Sequence, residues 1–260
     1  MLRILNIALQ AKPLKNTIYK SIQDKKAAKK KMLAVLIDPD KAKTKFLADL
    51  CEKAEKANVD FILIGGSLMT DGDIKRTVKQ VKQQTSIPTL LFPGSAMQIT
   101  DEADGILFLS LLSSRNPEML IGQQVVAAPY IKKTKLEVIS TAYLLIDSGV
   151  QTTASYMSNS NPIPANKSEI AASTALAGEY MGMDLIYLDG GSGAKFPVPE
   201  NVIKKVSNYS SKPIVVGGGL DTSEKVEAAF DSGADIVVIG NALEKDPNFL
   251  NEIAEIIQKD

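Results

Sequence analysis

Short apolar runs rich in β-branched residues alternate along this chain with segments of helical period, and that alternation predicts repeated βαβ units. Eight runs read as strands, at 33–37, 61–64, 89–92, 105–109, 136–142, 185–188, 214–216 and 236–239. Most are apolar at nearly every position, as expected of strands covered on both faces. Between them, Phe46, Leu47, Leu50, Ala54 and Ala57 form a helical stripe, and Ile74, Val78 and Val81 form another. Later stripes join Ala171, Ala175 and Leu176, then Val226, Ala229 and Phe230, then Phe249, Leu250, Ile253 and Ile257. A further helix over 17–31 precedes the first strand and is expected to cover the floor. Asp221 with Glu224 reads as a capping box at the start of the seventh helix. The pattern predicts an α/β fold, a (βα)8 TIM barrel with an extra N-terminal helix, forming one domain over residues 1–260.

Two connections break the rhythm. Between the third and fourth strands lies only PGSAMQITDEAD, too short for a crossover helix with its turns, so the third helix is expected to be reduced or missing. After the fifth strand a polar, proline-bearing stretch runs from Asp147 to Lys167, longer than ordinary βα loops and a candidate lid. Together they predict a groove in the barrel wall.

The 30 basic residues balance 30 acidic ones, so no overall field recruits nucleic acid or an anionic membrane. The run Lys25, Lys26, Lys29, Lys30 and Lys31 reads as a solvated helix face. There is no histidine, which removes imidazole bases, Ser-His-Asp triads and histidine-bound zinc. Cys51 is the single cysteine and falls in register with Leu47, Leu50 and Ala54, as a buried small hydrophobe would. The opening MLRILNIALQAKPLK has no sustained apolar core or cleavage site, so no signal peptide is expected and the cytoplasm is the expected location.

Groups that follow barrel strands face the active site, whereas groups that precede them face the stabilising end. Gly217, Gly218 and Gly219 follow the seventh strand, and Gly240 with Asn241 follows the eighth. Either could be a tight turn; as a pair they occupy the usual barrel phosphate site, where backbone N–H groups approach an anion. Tyr187, Leu188, Asp189, Gly190, Gly191, Ser192 and Gly193 run from the sixth strand into its loop. Asp189 would point a carboxylate into the mouth or cap the next segment. Asp38 ends the first strand as a candidate Mg²⁺ ligand, and Ser67 after the second offers a hydroxyl near the same ion. Asp40 reads as the cap of the following helix. Asp101-Glu102-Ala103-Asp104 spells a helicase box without a Walker loop and precedes a strand, so it lies on the wrong face.

In this order, the strings IDPDK at 37–41, IGGS at 64–67, SLLSSRNP at 110–117, SNPIP at 160–164, YLDGGSG at 187–193, VGGGL at 216–220 and IGN at 239–241 resemble the geranylgeranylglyceryl phosphate synthase family. The longer YLDGGSG form and the NPIP loop resemble its archaeal and related bacterial branch. The resemblance implies transfer of a geranylgeranyl or similar group from a polyprenyl diphosphate to the 3-hydroxyl of sn-glycerol 1-phosphate, with Mg²⁺ as cofactor. It implies Asp38 and Ser67 as metal ligands. Tyr187 to Gly193, Gly217 to Gly219, Gly240 and Asn241 would hold glycerol phosphate, and Asp189 would accept the hydroxyl proton. Relatives carry glutamate at the position of Asp189, and a lysine in one branch where Leu36 stands here. A homo-oligomer, dimer or hexamer, is implied, with membrane contact only through the lipid product. Competing readings are a phosphosugar isomerase or synthase that shares the terminal glycine site, and a non-catalytic phosphate-ligand sensor.

Overall fold

A computed structural model describes residues 17–258. Eight parallel strands close in chain order into a barrel: β1 Met32–Ile37, β2 Phe61–Ile64, β3 Thr89–Leu91, β4 Gly105–Leu111, β5 Glu137–Leu145, β6 Leu185–Asp189, β7 Ile214–Gly217 and β8 Ile236–Ile239. The helices are α1 Thr17–Ala27, α2 Thr44–Lys56, α3 Ile74–Gln84, α4 Gln123–Ile131, α5 Thr153–Met157, α6 Ser168–Tyr180, α7 Glu200–Tyr209, α8 Ser223–Asp231, α9 Asn241–Lys245 and α10 Phe249–Gln258. The chain's opening, for which no signal peptide is expected, lies outside the described residues. Strand alternation splits the apolar residues into two cores. Ala34, Leu63, Ile139, Leu185 and Val215 fill the barrel, while Val35, Ile62, Leu144, Ile186 and Val216 meet the helices. Cys51 belongs to the outer core, where burial raises its thiol pKa to about 11, so it is a packing residue.

The barrel floor is tied by acids that precede alternate strands. Asp60, Asp104, Asp184 and Asp235 accept hydrogen bonds from the backbone N–H groups of Leu33, Thr89, Ser140 and Ile214 on neighbouring strands. Asp104 of the helicase-like string is thus a structural tie. Helix α1 plugs the floor with Ile18 and Ile22, and Glu137 accepts from the N–H groups of Ile18 (2.9 Å) and Tyr19 (2.7 Å) at its start. The lysine run is more than a solvated face. Lys26 pairs with Asp235 at 2.8 Å, Lys25 pairs with Asp60, and Lys31 stands over the Phe230 ring. The helix ends at Ala27, four residues short of the expected limit at Lys31.

The crossover helix between β3 and β4 is reduced, as expected, to one 3₁₀ turn, Ala96–Gln98. Strand β3 is so short that it registers with β4 only at Leu90↔Gly105 and Leu91↔Ile106, although β4 continues beside β5 to Leu111. Two buried glutamines flank the resulting gap, one on each side. Gln98 donates to the Gly66 carbonyl (2.9 Å) and accepts from the Gly94 N–H (3.2 Å); Gln124 donates to the carbonyls of Leu109 (2.5 Å) and Met119 (3.2 Å). A π-helical turn, Glu118–Gly122, sets Gln124 at that height. The long segment after β5 is not an irregular loop. Ile163 bridges Ile146 as a parallel pair, and α5 opens with a capping box between Thr152 and Ser155.

Two expected caps are corrected. Helix α8 is capped by Thr222, which accepts from the Lys225 N–H, while Asp221 pairs with Lys225 one turn on. Asp40 caps no helix: its carboxylate accepts from the backbone N–H groups of Thr70, Asp71 and Gly72 and from the Thr70 hydroxyl. The cap at that turn is Asp38, which accepts from the Asp40 N–H.

Candidate active site

Because strands end where their loops begin, all eight carboxyl ends converge on one mouth, and two cavities meet there. The polar one, about 290 Å³, is lined by Asp38, Ser67, Tyr187, Asp189, Gly191, Ser192, Gly193, Gly218, Gly219, Gly240 and Asn241. It draws on the ends of β1, β2, β6, β7 and β8. The second, about 430 Å³, follows the gap between β3 and β4 and is mainly apolar. Met97, Ile99, Leu107, Phe108, Met119 and Ala127 are among its walls. Phe92 and Tyr143 line both, so their rings mark the junction.

The glycine turns earn their sequence through proximity. Gly218 has φ +82°, and a side chain there would lie 2.7 Å from the Gly191 nitrogen and 2.8 Å from an Asp189 carboxylate oxygen. The loops after β6 and β7 therefore touch with no room for a Cβ, which leaves backbone as the cavity surface. Ser192 Oγ lies 3.4 Å from the Asn241 side-chain amide and links the loop after β6 to the turn after β8. This is the arrangement in which backbone dipoles and small polar groups surround an anion.

Three of the expected contacts do not line the cavity. Leu188 is fully buried in the outer core, because strand alternation turns it toward the helices when Tyr187 and Asp189 face inward. Gly190 donates to the Gly217 carbonyl at 2.9 Å and so braces two loops. A side chain on Gly217 would strike the Tyr187 hydroxyl at 2.6 Å, so this glycine makes room for the ring.

Asp189 faces inward but is buried. One carboxylate oxygen accepts from the Gly191 N–H (2.7 Å), the other from the Tyr143 hydroxyl (2.5 Å). Burial raises its pKa, and these two bonds oppose the rise. Tyr143 has its own pKa pushed well up by burial and by the Asp189 charge. It packs edge-on to Phe92 (6.0 Å) and Tyr187 (5.5 Å), and those two stack at 5.2 Å. Asp38 is partly exposed at the opposite wall, with Oδ1 accepting from the Asp40 N–H at 3.0 Å and Oδ2 3.5 Å from Lys41 Nζ. Among the described residues no group of three or more acidic or thiol side chains gathers as a metal cage. One carboxylate open to a polar cavity that Ser67 also lines fits a hard cation that keeps water and substrate phosphate in its shell.

Comparison with known proteins bears on this polar cavity and its apolar neighbour. The model of the PcrB family matches residues 25–258. The chain belongs to this family. A geranylgeranylglyceryl phosphate synthase of Chitinophaga pinensis is 49% identical over 242 residues, covering 93% of this chain and 96% of that protein. The synthase of Pyrococcus horikoshii is 42% identical, covering 85% and 86%. The crystal structure of (S)-3-O-geranylgeranylglyceryl phosphate synthase from Thermoplasma acidophilum with sn-glycerol-1-phosphate superposes with a TM-score of 0.88 at 35% identity, covering 94% of this chain and 99% of that one. Within the PcrB fold seen here, Phe92 and Tyr143 are the site residues that motif reading passed over. Tyr143 carried a signal: it is the one aromatic ring in β5, at the inward register shared with Ile139 and Leu145.

Proposed function

We propose that this chain is a geranylgeranylglyceryl phosphate synthase. It joins a geranylgeranyl group, or a similar polyprenyl group, to the 3-hydroxyl of sn-glycerol 1-phosphate and releases diphosphate. The observation that carries this reading is the meeting of a polar, glycine-walled cavity with an apolar slot at Phe92 and Tyr143. The glycerol phosphate lies against the turns of Gly218, Gly219, Gly191 to Gly193, Gly240 and Asn241, and the tail lies between β3 and β4. The new C–O bond then forms at the junction. There the rings of Tyr143 and Phe92 offer π electron density to an allylic carbon that turns positive as diphosphate departs. Asp189 takes the hydroxyl proton, directly or through the Tyr143 hydroxyl it already holds.

Mg²⁺ bound at Asp38 and Ser67 would neutralise charge on the leaving diphosphate. Asp38, with one oxygen held by its own turn, keeps the other directed at that wall. Among the described residues no helix is long and apolar enough to cross a membrane. The family resemblance carries the rest of the proposal, a cytoplasmic homo-oligomer that touches the membrane only through its lipid product. Labelled sn-glycerol 1-phosphate, geranylgeranyl diphosphate and Mg²⁺ should give an ether lipid in the organic phase. Binding of glycerol phosphate without turnover at any prenyl length would replace the synthase with a sensor. Turnover of a phosphosugar instead would point to the isomerase class. Asp38→Ala should abolish turnover while leaving the thermal midpoint within a few degrees, and full activity in that variant would remove Asp38 from the site.

A further inference from the structure

Lys41 stands on the rim of the polar cavity between two carboxylates that both line it. Its Nζ lies 2.8 and 3.1 Å from the oxygens of Glu244, on α9, and 3.5 Å from Asp38 Oδ2, at the end of β1. Strands β1 and β8 are barrel neighbours, so this contact joins the β1 wall to the turn that follows β8. Partial burial works against the ammonium, but the Glu244 and Asp38 charges outweigh it and hold its pKa above the ordinary lysine value.

An ammonium has three N–H donors in fixed tetrahedral directions. Glu244 engages it with both carboxylate oxygens, which fixes the nitrogen, and Asp38 is the remaining partner. A cation and a lysine compete for the same carboxylate oxygen, and a diphosphate ester with one dication still carries net negative charge. On β1 the inward position above the cavity is the apolar Leu36, and the other cation that lines the cavity, Lys245, lies on α9 across from it.

We infer that Lys41 neutralises Asp38 while the diphosphate side is empty and, keeping its proton, swings its ammonium from Asp38 to a diphosphate oxygen when the metal and diphosphate load. Glu244 is the positioning residue that keeps Nζ in reach of both. This inference rests on the synthase reading above and adds a diphosphate-binding residue to it.

The test uses the full chain and titration calorimetry with three probes: Mn²⁺ alone, inorganic diphosphate with excess Mg²⁺, and sn-glycerol 1-phosphate. Lys41→Met should bind Mn²⁺ several-fold more tightly, because the competitor is gone, yet bind Mg²⁺-diphosphate at least tenfold more weakly. Glycerol phosphate affinity should stay within twofold. Glu244→Gln should weaken diphosphate in the same direction by less, and Lys41→Arg should recover most of the loss. In turnover, KM for the prenyl diphosphate should rise in Lys41→Met while KM for glycerol phosphate holds. Unchanged diphosphate binding in Lys41→Met overturns the inference. So does an equal weakening of all three probes with a lowered Tm, which marks a merely structural ion pair. Wild-type protein that binds neither glycerol phosphate nor diphosphate overturns the synthase reading itself, a result that differs from both.

Discussion

At the scale of single residues the site depends on what is missing as much as on what is present. Gly218→Ala would force a side chain into a left-handed turn and against the Asp189 and Gly191 atoms. It should cost on the order of 1–3 kcal/mol in chemical denaturation and at least tenfold in glycerol phosphate affinity by calorimetry. Asp189→Asn keeps acceptor and donor capacity for Gly191 and Tyr143 but cannot take a proton, so turnover should fall at least a hundredfold. Its stability effect has a definite sign. The folded pKa of Asp189 is raised, so the folded chain binds more protons than the unfolded one above the unfolded carboxylate value. That contribution to stability declines as pH climbs from about 4 toward the raised value, then levels off. Thermal melts should therefore show Asp189→Asn no less stable than wild type at neutral pH, and less sensitive to pH over that window. Gly191, Gly193, Gly218 and Gly219 turn at positive φ just after strands, a conformation that favours glycine and so leaves a mark in the sequence. Leu188 was misread because a motif is contiguous whereas a strand sends alternate residues to opposite faces.

At the scale of elements, legibility followed period. The runs at 61–64 and 236–239 match β2 and β8 residue for residue, since both are short, wholly apolar and bounded by turns. Helix α4 gave no stripe: it is apolar on nearly every side, contains Pro129 and follows a π-helical turn, so no 3.6-residue period exists to be read. Helix α5 and the bridge at Ile163 escaped because polar composition had suggested an irregular lid, and tertiary pairing decided otherwise. Asp40 shows the same limit, for its partners lie thirty residues on. Asp40→Ala should release the turn at Thr70 to Gly72, costing about 1 kcal/mol because the group is exposed. Hydrogen exchange should quicken at those three amides while α2 stays protected; equal protection there would restore the simple helix-cap role. The Asp40 pKa is depressed, chiefly by the Thr70 N–H bond, so its contribution is present above the ordinary carboxylate range and fades as pH falls through the lowered value.

At the scale of the whole molecule, the barrel gives up one crossover helix and gains a slot beside the phosphate-binding turns. The absent helix was legible from linker length alone, but the slot's inner walls were not, since they come from β4, α4 and the loop after β3 meeting across sequence. Ala127, buried on α4, faces this slot. Ala127→Phe should lower turnover of geranylgeranyl diphosphate at least tenfold relative to a farnesyl donor, with KM for glycerol phosphate unchanged; unaltered selectivity would place the tail elsewhere. Only two residue pairs join β3 to β4, so this is the thinnest seam of the sheet, with Gln98 tying the turns after β2 and β3 on one side and Gln124 holding β4 on the other. A slit of that kind admits a flexible hydrocarbon from the side, along its whole length at once. A chain that would have to thread a closed tunnel end-first can here be laid in like a cord into a channel, and its product can be lifted out the same way.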